Sequence, residues 1–152
     1  MRTIGIRAKP AAFTFAVFDA SESRIVNVET ISIPQALYRP DALRYVRTTV
    51  LDLLREYDIT QGCIRETEPT AHATNIERVQ IEAVVQESFA SSNLTKYFVG
   101  QISSISARVG IPRTDFKLLV SGEKAFDRVK NWAQFSAEER EAILSAIGAA
   151  HA

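Results

Sequence analysis

The sequence predicts an α/β domain on a mixed five-stranded sheet, in which an antiparallel three-strand meander is followed by parallel strands and flanked by helices. Two observations lead to this fold class. The first third of the chain holds three successive strand patterns with no helix between them, which is the order of a meander. Beyond residue 40, helical and strand patterns alternate, as they do where helices join parallel strands and cover both faces of a sheet.

The meander is predicted from three segments rich in β-branched and aromatic residues, at 3–6, 13–18 and 24–33. Residues 8–10, which end in a proline, supply a tight connection between the first two strands. The polar residues 19–23 supply the turn before the third strand. The three strands therefore follow one another closely enough to pair as neighbours.

A helix and a fourth strand are predicted next. Pro40 suits a first helical turn, and the apolar residues that follow it share one helical face. These residues are Leu43, Val46, Val50, Leu53, Leu54 and Tyr57. Residues 62–66 then form a short fourth strand, and residues 67–73 form a loop.

The rest of the chain is predicted to alternate between helices and one more strand. A capping box at Thr74 and Glu77 opens a second helix that runs to about residue 91. Residues 97–100 form a fifth strand, residues 102–109 form a short helix, and residues 111–113 stop it, while 114–135 have no clear pattern. A second capping box, Ser136 with Glu139, opens the last helix.

Length and composition narrow the classes of function. A chain of 152 residues that is 46% apolar fits one domain over residues 1–152. Eighteen basic and eighteen acidic side chains give zero net charge, which favours neither bulk nucleic-acid affinity nor a membrane surface. No stretch approaches the roughly 20 apolar residues of a membrane span, and Arg7 and Lys9 interrupt any signal-peptide core. We therefore expect a cytoplasmic protein with no membrane partner.

Several common kinds of site are missing from the sequence. Neither glycine-rich phosphate loop, G-x-G-x-x-G or G-x-x-x-x-G-K-[ST], occurs. No cluster has zinc-like spacing, and the one cysteine, Cys63, lies in an apolar run that favours a core position. His72 lies in the predicted 67–73 loop, where an exposed position is expected and a proton donor or phosphate contact is the alternative.

Three short stretches carry a resemblance to a known family. They are Gly5-Ile6-Arg7-Ala8-Lys9, Ile64-Arg65-Glu66, and Glu138-Glu139-Arg140-Glu141-Ala142-Ile143. They resemble motifs of the RNase H-like superfamily, most closely of RuvC-type Holliday-junction resolvases. In that family the first strand ends in Gly-Ile-Asp-Pro-Gly, the fourth ends in Ile-Glu, and the last helix carries Asp-x-x-Asp.

The resemblance implies a site for phosphodiester hydrolysis. Family members hold one or two Mg²⁺ or Mn²⁺ ions among about four carboxylates, which are the ligands that hard divalent ions prefer. Here it implies Glu66, Glu138 and Glu141 as metal ligands and catalytic residues. The chain departs from the family at Arg7, which stands where the first carboxylate is expected, and an arginine cannot ligate a metal.

This departure leads to the preferred hypothesis of a catalytically impaired domain. Arg7 is predicted to replace the metal by pairing with Glu66 and with Glu141. The domain would then bind nucleic acid or a protein partner at the former active-site face. Two alternatives stay open: an active Mg²⁺- or Mn²⁺-dependent endonuclease, and a structural subunit that assembles with itself. In the active case Glu68, Glu82 or Asp19 would replace the missing ligand.

Each acid of the expected site also has a structural explanation. Glu66 and Glu68 flank a strand end, where solvated loop acids are common. Glu138 and Glu141 lie in the first turns of a helix, where the helix dipole favours acids in any protein. Glu139 is expected to complete the Ser136 capping box.

The neutral total conceals a basic segment between residues 96 and 130. It contains seven cations and three acids, a net charge of +4, with aromatic residues between them that suit either base stacking or core packing. DNA or RNA is therefore a candidate partner, and a merely solvated basic face is the alternative. The residues predicted to bind nucleic acid are Lys9, Arg108, Arg113, Lys117 and Lys124.

Overall fold

The computed structural model describes residues 1–152. The strands are β1 (Arg2–Lys9), β2 (Ala12–Asp19), β3 (Arg24–Ser32), β4 (Ile59–Arg65) and β5 (Lys96–Gly100). The helices are α1 (Arg39–Glu56), α2 (Ile76–Ala90), α3 (Ile102–Val109), α4 (Arg113–Ser121) and α5 (Ala137–Ala149), with a short 3₁₀ helix at Trp132–Gln134.

The five strands form one mixed sheet in the order β3-β2-β1-β4-β5. The pairs β1 with β2 and β2 with β3 are antiparallel. The pairs β1 with β4 and β4 with β5 are parallel. The predicted fold class, a meander followed by parallel strands, is confirmed.

Helices cover both faces of the sheet because neighbouring strand residues point to opposite sides. Ile4 and Ile6 of β1 belong to the core that the sheet forms with α1 and α2. A second core on the other face joins the sheet to α3, α4 and α5. No helix combines the length and apolar character that crossing a bilayer requires.

Helix α5 lies directly against β1. A Cβ atom placed on Gly5 would lie 2.2 Å from the carbonyl oxygen of Ala142 and 2.3 Å from the backbone nitrogen of Ala146. The hydroxyl of Thr3, two residues earlier on the same face, donates to the Ala146 carbonyl oxygen at 2.5 Å. Because of this close contact, the first turn of α5 lies beside the last residues of β1.

Most predicted elements are present, and some boundaries differ. The Ser136 capping box forms, with both of its reciprocal hydrogen bonds. The capping box predicted at Thr74 is wrong, because Asn75 caps α2 and its side chain accepts from the Arg78 N–H. Strand β4 begins at Ile59 and ends at Arg65, so the predicted bounds of 62–66 are wrong at both ends.

The segment without a clear pattern contains an additional helix. Gly110, at φ 83°, ends α3 in the left-handed conformation, which glycine adopts without strain. Pro112 then caps α4, so Arg113 opens a helix instead of stopping one. Gly122, at φ 85°, ends α4 in the same way.

Candidate functional site

Two arginines stand side by side where β1 and β4 end. Arg7 and Arg65 are direct partners in the parallel pairing of these strands, and paired residues point to the same face of a sheet. That face is the one covered by α5. Arg65 is only 5% exposed, and Arg7 is partly buried.

Glu141 of α5 lies between the two arginines. The Nε of Arg7 is 3.1 Å from Oε2 of Glu141 and donates a hydrogen bond to it. The Nε of Arg65 is 3.7 Å from the same oxygen, which is ion-pair distance but too long for a hydrogen bond. The predicted pairing of Arg7 with Glu141 is therefore present.

The predicted pairing of Arg7 with Glu66 is not present. Glu66 follows the last residue of β4, and its carboxylate accepts from the side-chain amide of Gln101 at 3.1 Å. Its backbone N–H donates to the Gly100 carbonyl oxygen at 2.8 Å. The physical reason is alternation along the strand: Arg65 takes the position in register with Arg7, so Glu66 is one residue out of step.

Glu68 lies beside Arg65 at the start of the loop that follows β4. Its Oε2 is 3.1 Å from Nη1 of Arg65, and both of its carboxylate oxygens lie 3.4 Å from the backbone nitrogen of Ile102. This acid therefore contributes its charge to Arg65 and to the first turn of α3, where the helix dipole favours an anion.

Glu82 of α2 accepts hydrogen bonds from Thr67 at the start of the same loop. It is 2% exposed and accepts from both the backbone N–H and the hydroxyl of Thr67, at 3.1 Å and 2.8 Å respectively. Its Oε2 is 2.9 Å from Nε of Arg78, although the Arg78 N–H makes no hydrogen bond with it. Burial lowers the pKa of Arg78, the charge of Arg7 lowers it further, and the charge of Glu82 opposes that shift.

Glu138 lies in the first turn of α5, next to Glu141. Its carboxylate is 3.7 Å from Nζ of Lys9. A hydrogen bond from its own backbone N–H lowers the pKa of Glu138, and the charges of Lys9 and Arg7 lower it further against the opposing effect of burial. These interactions together favour the ionised form of the carboxylate.

Together these contacts form what we call the ion-pair cluster. Its acids are Glu68, Glu82, Glu138 and Glu141, and its cations are Arg7, Lys9, Arg65 and Arg78. Four acids face four cations, so no uncompensated carboxylate charge remains. Asp19 is not part of the cluster, because it lies opposite Arg2 in the strand register, at the other end of β1.

The donor set does not fit a divalent metal ion. Nowhere in residues 1–152 do three or more His, Cys, Asp or Glu side chains gather so as to hold a metal. The oxygens of Glu141 face two guanidinium groups, whose charge repels a cation. The expected ligands Glu66, Glu138 and Glu141 are not brought together, because Glu66 faces Gln101.

A groove of about 850 Å³ opens next to the ion-pair cluster, between the 66–75 loop, α4 and the start of α5. We call it the basic groove. Its charged and titratable lining residues are Arg65, Glu68, His72, Arg113, Lys117 and Glu141. Arg113 and Lys117 are exposed, and the ion pairs of the structure include neither of them.

The structure brings two of the five predicted nucleic-acid-binding residues to the basic groove. Arg113 and Lys117 line it. Lys9 is paired with Glu138, and Lys124 is 2.7 Å from Asp115. The guanidinium of Arg108 lies 4.0 Å from the centre of the Phe98 ring, which makes it a packing residue.

Two other predicted features have clear places in the fold. His72 is exposed and lines the basic groove. Cys63 is buried, and burial raises the pKa of its thiol to about 12, against the opposing effect of a Ser145 hydrogen bond. It is therefore a neutral core residue and not a nucleophile, because only the thiolate is nucleophilic.

Arg65 and Arg78 are the site residues that the sequence did not reveal. Arg65 was visible in the Ile64-Arg65-Glu66 stretch, and strict alternation from Arg7 across the parallel pair would have selected it over Glu66. Arg78 carried no signal, because its role depends on how α2 packs beside the sheet edge.

The structure is similar to solved structures of Holliday junction resolvases. T. thermophilus RuvC in complex with a Holliday junction substrate matches with a TM-score of 0.70 at 13% sequence identity, over 99% of this chain and 92% of that chain. Another Thermus thermophilus RuvC structure matches with a TM-score of 0.72 at 12% identity, over 99% and 93%. The yeast mitochondrial Holliday junction resolvase gives 0.58 at 10% identity, over 96% and 77%.

At these identities the similarity establishes the fold and not the activity. No family model matches the sequence, and no curated protein does. The predicted resemblance is nevertheless confirmed for the fold, because both RuvC structures match over 99% of this chain. The chain has the RNase H-like fold in its RuvC-type form.

Proposed function

We propose that this domain binds nucleic acid through the basic groove and does not hydrolyse it. The observation that carries the proposal is the pair of arginines, Arg7 and Arg65, in register at the ends of β1 and β4. Both face Glu141, one of the predicted metal ligands. Two fixed cations thus occupy the strand ends where metal-dependent hydrolysis requires anions.

The loss of hydrolysis follows from the charges. A divalent ion beside Glu141 would have to displace two guanidinium groups, of which the Arg65 group is almost fully buried. Arginine stays protonated at any physiological pH, so neither group loses its charge to admit a metal. The active endonuclease that uses Glu66, Glu138 and Glu141 is therefore the disfavoured alternative.

Binding of nucleic acid is supported by the cations that the ion-pair cluster does not neutralise. Arg113 and Lys117 are one helical turn apart on α4, both exposed and both in the groove lining. Their spacing of four residues puts them on the same side of the helix, where they can contact neighbouring phosphates. The Holliday junction bound to T. thermophilus RuvC makes branched DNA the first ligand to test.

The test measures retention and cleavage of the same DNA. A fluorescently labelled four-way junction is titrated with the protein in EDTA and in Mg²⁺, by anisotropy and then on a denaturing gel. We expect binding that weakens as salt rises, with intact DNA in both buffers. Arg113→Gln with Lys117→Gln should weaken binding by about tenfold or more, because two charge-assisted phosphate contacts are lost.

A matched control removes the same charge elsewhere. Lys96→Gln with Lys130→Gln also deletes two exposed cations, neither of which lines the basic groove. This variant should bind the junction nearly as well as the wild type. Cleavage in Mg²⁺ that Glu141→Gln abolishes would establish the endonuclease instead. If the protein retains no junction DNA, binding of a protein partner or self-assembly becomes the favoured function.

A further inference from the structure

We infer that the basic groove binds a phosphate group directly on Arg65, so that a guanidinium takes the part that a metal ion plays in a hydrolytic site. The inference deepens the proposed function and rests on it, since it names the chemical group that the groove contacts and the residue at its centre. The phosphate belongs either to a nucleic-acid backbone or to a free phosphate, and both present the same oxygens.

The first support is an unsatisfied donor at Arg65. Its Nη1 is engaged by the backbone oxygen of Glu66 and by Glu68. Its Nε is fully buried and has no hydrogen-bond partner, with the nearest Glu141 oxygen 3.7 Å away. A buried N–H without a partner is unfavourable, and the side chain that carries it lines the groove. The terminal Nη2 of Arg65 also has no hydrogen-bond partner and, unlike Nε, is not fully buried. It is therefore the donor that an entering anionic oxygen can reach.

Helix α4 supplies the second support, from the opposite wall. Pro112 caps it without any side-chain hydrogen bond, so the first N–H groups of the helix receive no acceptor from the capping residue. The one acid of the first turn, Asp115, is paired with Lys124. Arg113 and Thr114 open the helix into the groove, and Lys117 follows one turn later. A helix start, an arginine, a hydroxyl and a lysine therefore converge with Arg65 on one volume.

Rigidity is the third support. The ring of Phe116, which is 1% exposed, lies 5.5 Å from the guanidinium carbon of Arg65, and Glu68 fixes one edge of the same group. A guanidinium held in this way loses little conformational freedom when it binds a planar or tetrahedral oxyanion. The charged lining holds three cations and two acids, apart from His72, so the groove keeps a net positive charge.

Inorganic phosphate and a dT12 oligonucleotide are the probes, both used in EDTA so that no metal contributes. Phosphate should raise the melting temperature of the wild type above that in potassium chloride of equal ionic strength, because a ligand that binds only the folded state stabilises it. The dT12 strand, followed by anisotropy, tests the backbone source separately. If phosphate stabilises the protein and dT12 does not bind, the site is assigned to a free phosphate. If phosphate stabilises the protein and dT12 also binds, the site accepts both a free phosphate and a nucleic-acid backbone.

Arg65→Lys is the informative variant, because it keeps the charge and removes the guanidinium with its free Nη2 donor. We expect it to fold, to lose most of the phosphate-specific stabilisation, and to bind dT12 about tenfold more weakly, the factor of one charge-assisted hydrogen bond. Arg113→Gln with Lys117→Gln leaves the buried residues intact and should show the same losses. Lys96→Gln should show neither.

Equal phosphate responses in the wild type and in both groove variants would overturn the inference, since the effect would then be a general salt effect. A requirement for Mg²⁺ would overturn it too. If four-way junction DNA still binds through Arg113 and Lys117 while Arg65→Lys changes nothing, the inference fails and the proposed function stands. If the junction does not bind at all, both fail.

Discussion

At the scale of single residues, two arginines and one carboxylate form the centre of the site. Glu141 remains on α5, but the strand ends that face it carry Arg7 and Arg65. The side chains of Arg7 and Glu141 are only 19% and 14% exposed. Each charge has therefore lost most of its contact with water, and the ion pair compensates for that loss. Removing one partner of such a pair leaves an uncompensated charge, which costs more than the pair itself contributes.

Arg7→Ala should therefore lower the free energy of unfolding by about 2 kcal/mol, less than a fully buried pair because some water reaches the groups. Chemical denaturation measures the change. Arg44→Ala is the matched control, because Arg44 pairs with Asp41 on the surface with its side chain 78% exposed, and the expected loss is about 0.5 kcal/mol or less. Equal effects of the two substitutions would refute the role assigned to Arg7.

At the scale of elements, the contact between β1 and α5 places Arg7 next to Glu141. Gly5 allows this contact, because any side chain there would meet backbone atoms of α5. Backbone in a packed helix has little freedom to move away. Gly5 thus sets the distance between Arg7 on β1 and Glu141 on α5.

Gly5→Ala should destabilise the fold by about 3 kcal/mol or more, since β1 and α5 must separate to admit the methyl group. Gly148→Ala provides the comparison, because a Cβ there would meet its nearest neighbours at an ordinary 3.7 Å. Within a helix that substitution is expected to be neutral or stabilising by up to about 1 kcal/mol. Thermal and urea unfolding of both variants decide the point, and a tolerated Gly5→Ala would contradict the described packing.

Local signals made most elements predictable from the sequence. The meander, the Ser136 capping box and the Pro40 helix start depend on neighbouring residues, and all three are present. Helix α4 was missed because it is nine residues long and bracketed by Gly110 and Gly122, which read as loop signals. Short helices are stabilised chiefly by tertiary packing, which single-sequence patterns do not show.

The site was less predictable because it depends on register and on distant contacts. Glu66 and Arg65 are adjacent in sequence, and a shift of one residue exchanges the faces they occupy. The pairing of Arg7 with Glu141 was predicted from the matching order of motifs, and it is present across 134 residues. The exposed Arg113 and Lys117 were selected by charge alone, which did not separate them from the packed Arg108.

At the scale of the whole molecule, one hydrophobic core lies on each face of the sheet. The site lies where the parallel strands β1 and β4 end. At that edge the acids and cations of the ion-pair cluster are equal in number. The lining of the basic groove beside it has more cations than acids. The molecule thus has the architecture of RuvC structures, with two arginines in register at the strand ends. We propose that these fixed cations take the place of a divalent metal at the site.

The most direct test is a thermal melt with and without millimolar Mn²⁺, on the wild type and on Arg7→Asp with Arg65→Glu. A bound ion must stabilise the folded state. We predict no rise in the melting temperature of the wild type beyond that in salt of equal ionic strength, and a clear rise in the double variant, whose new carboxylates join Glu141. A rise in the wild type that Glu141→Gln removes would contradict the account, because it would show a metal site despite both arginines.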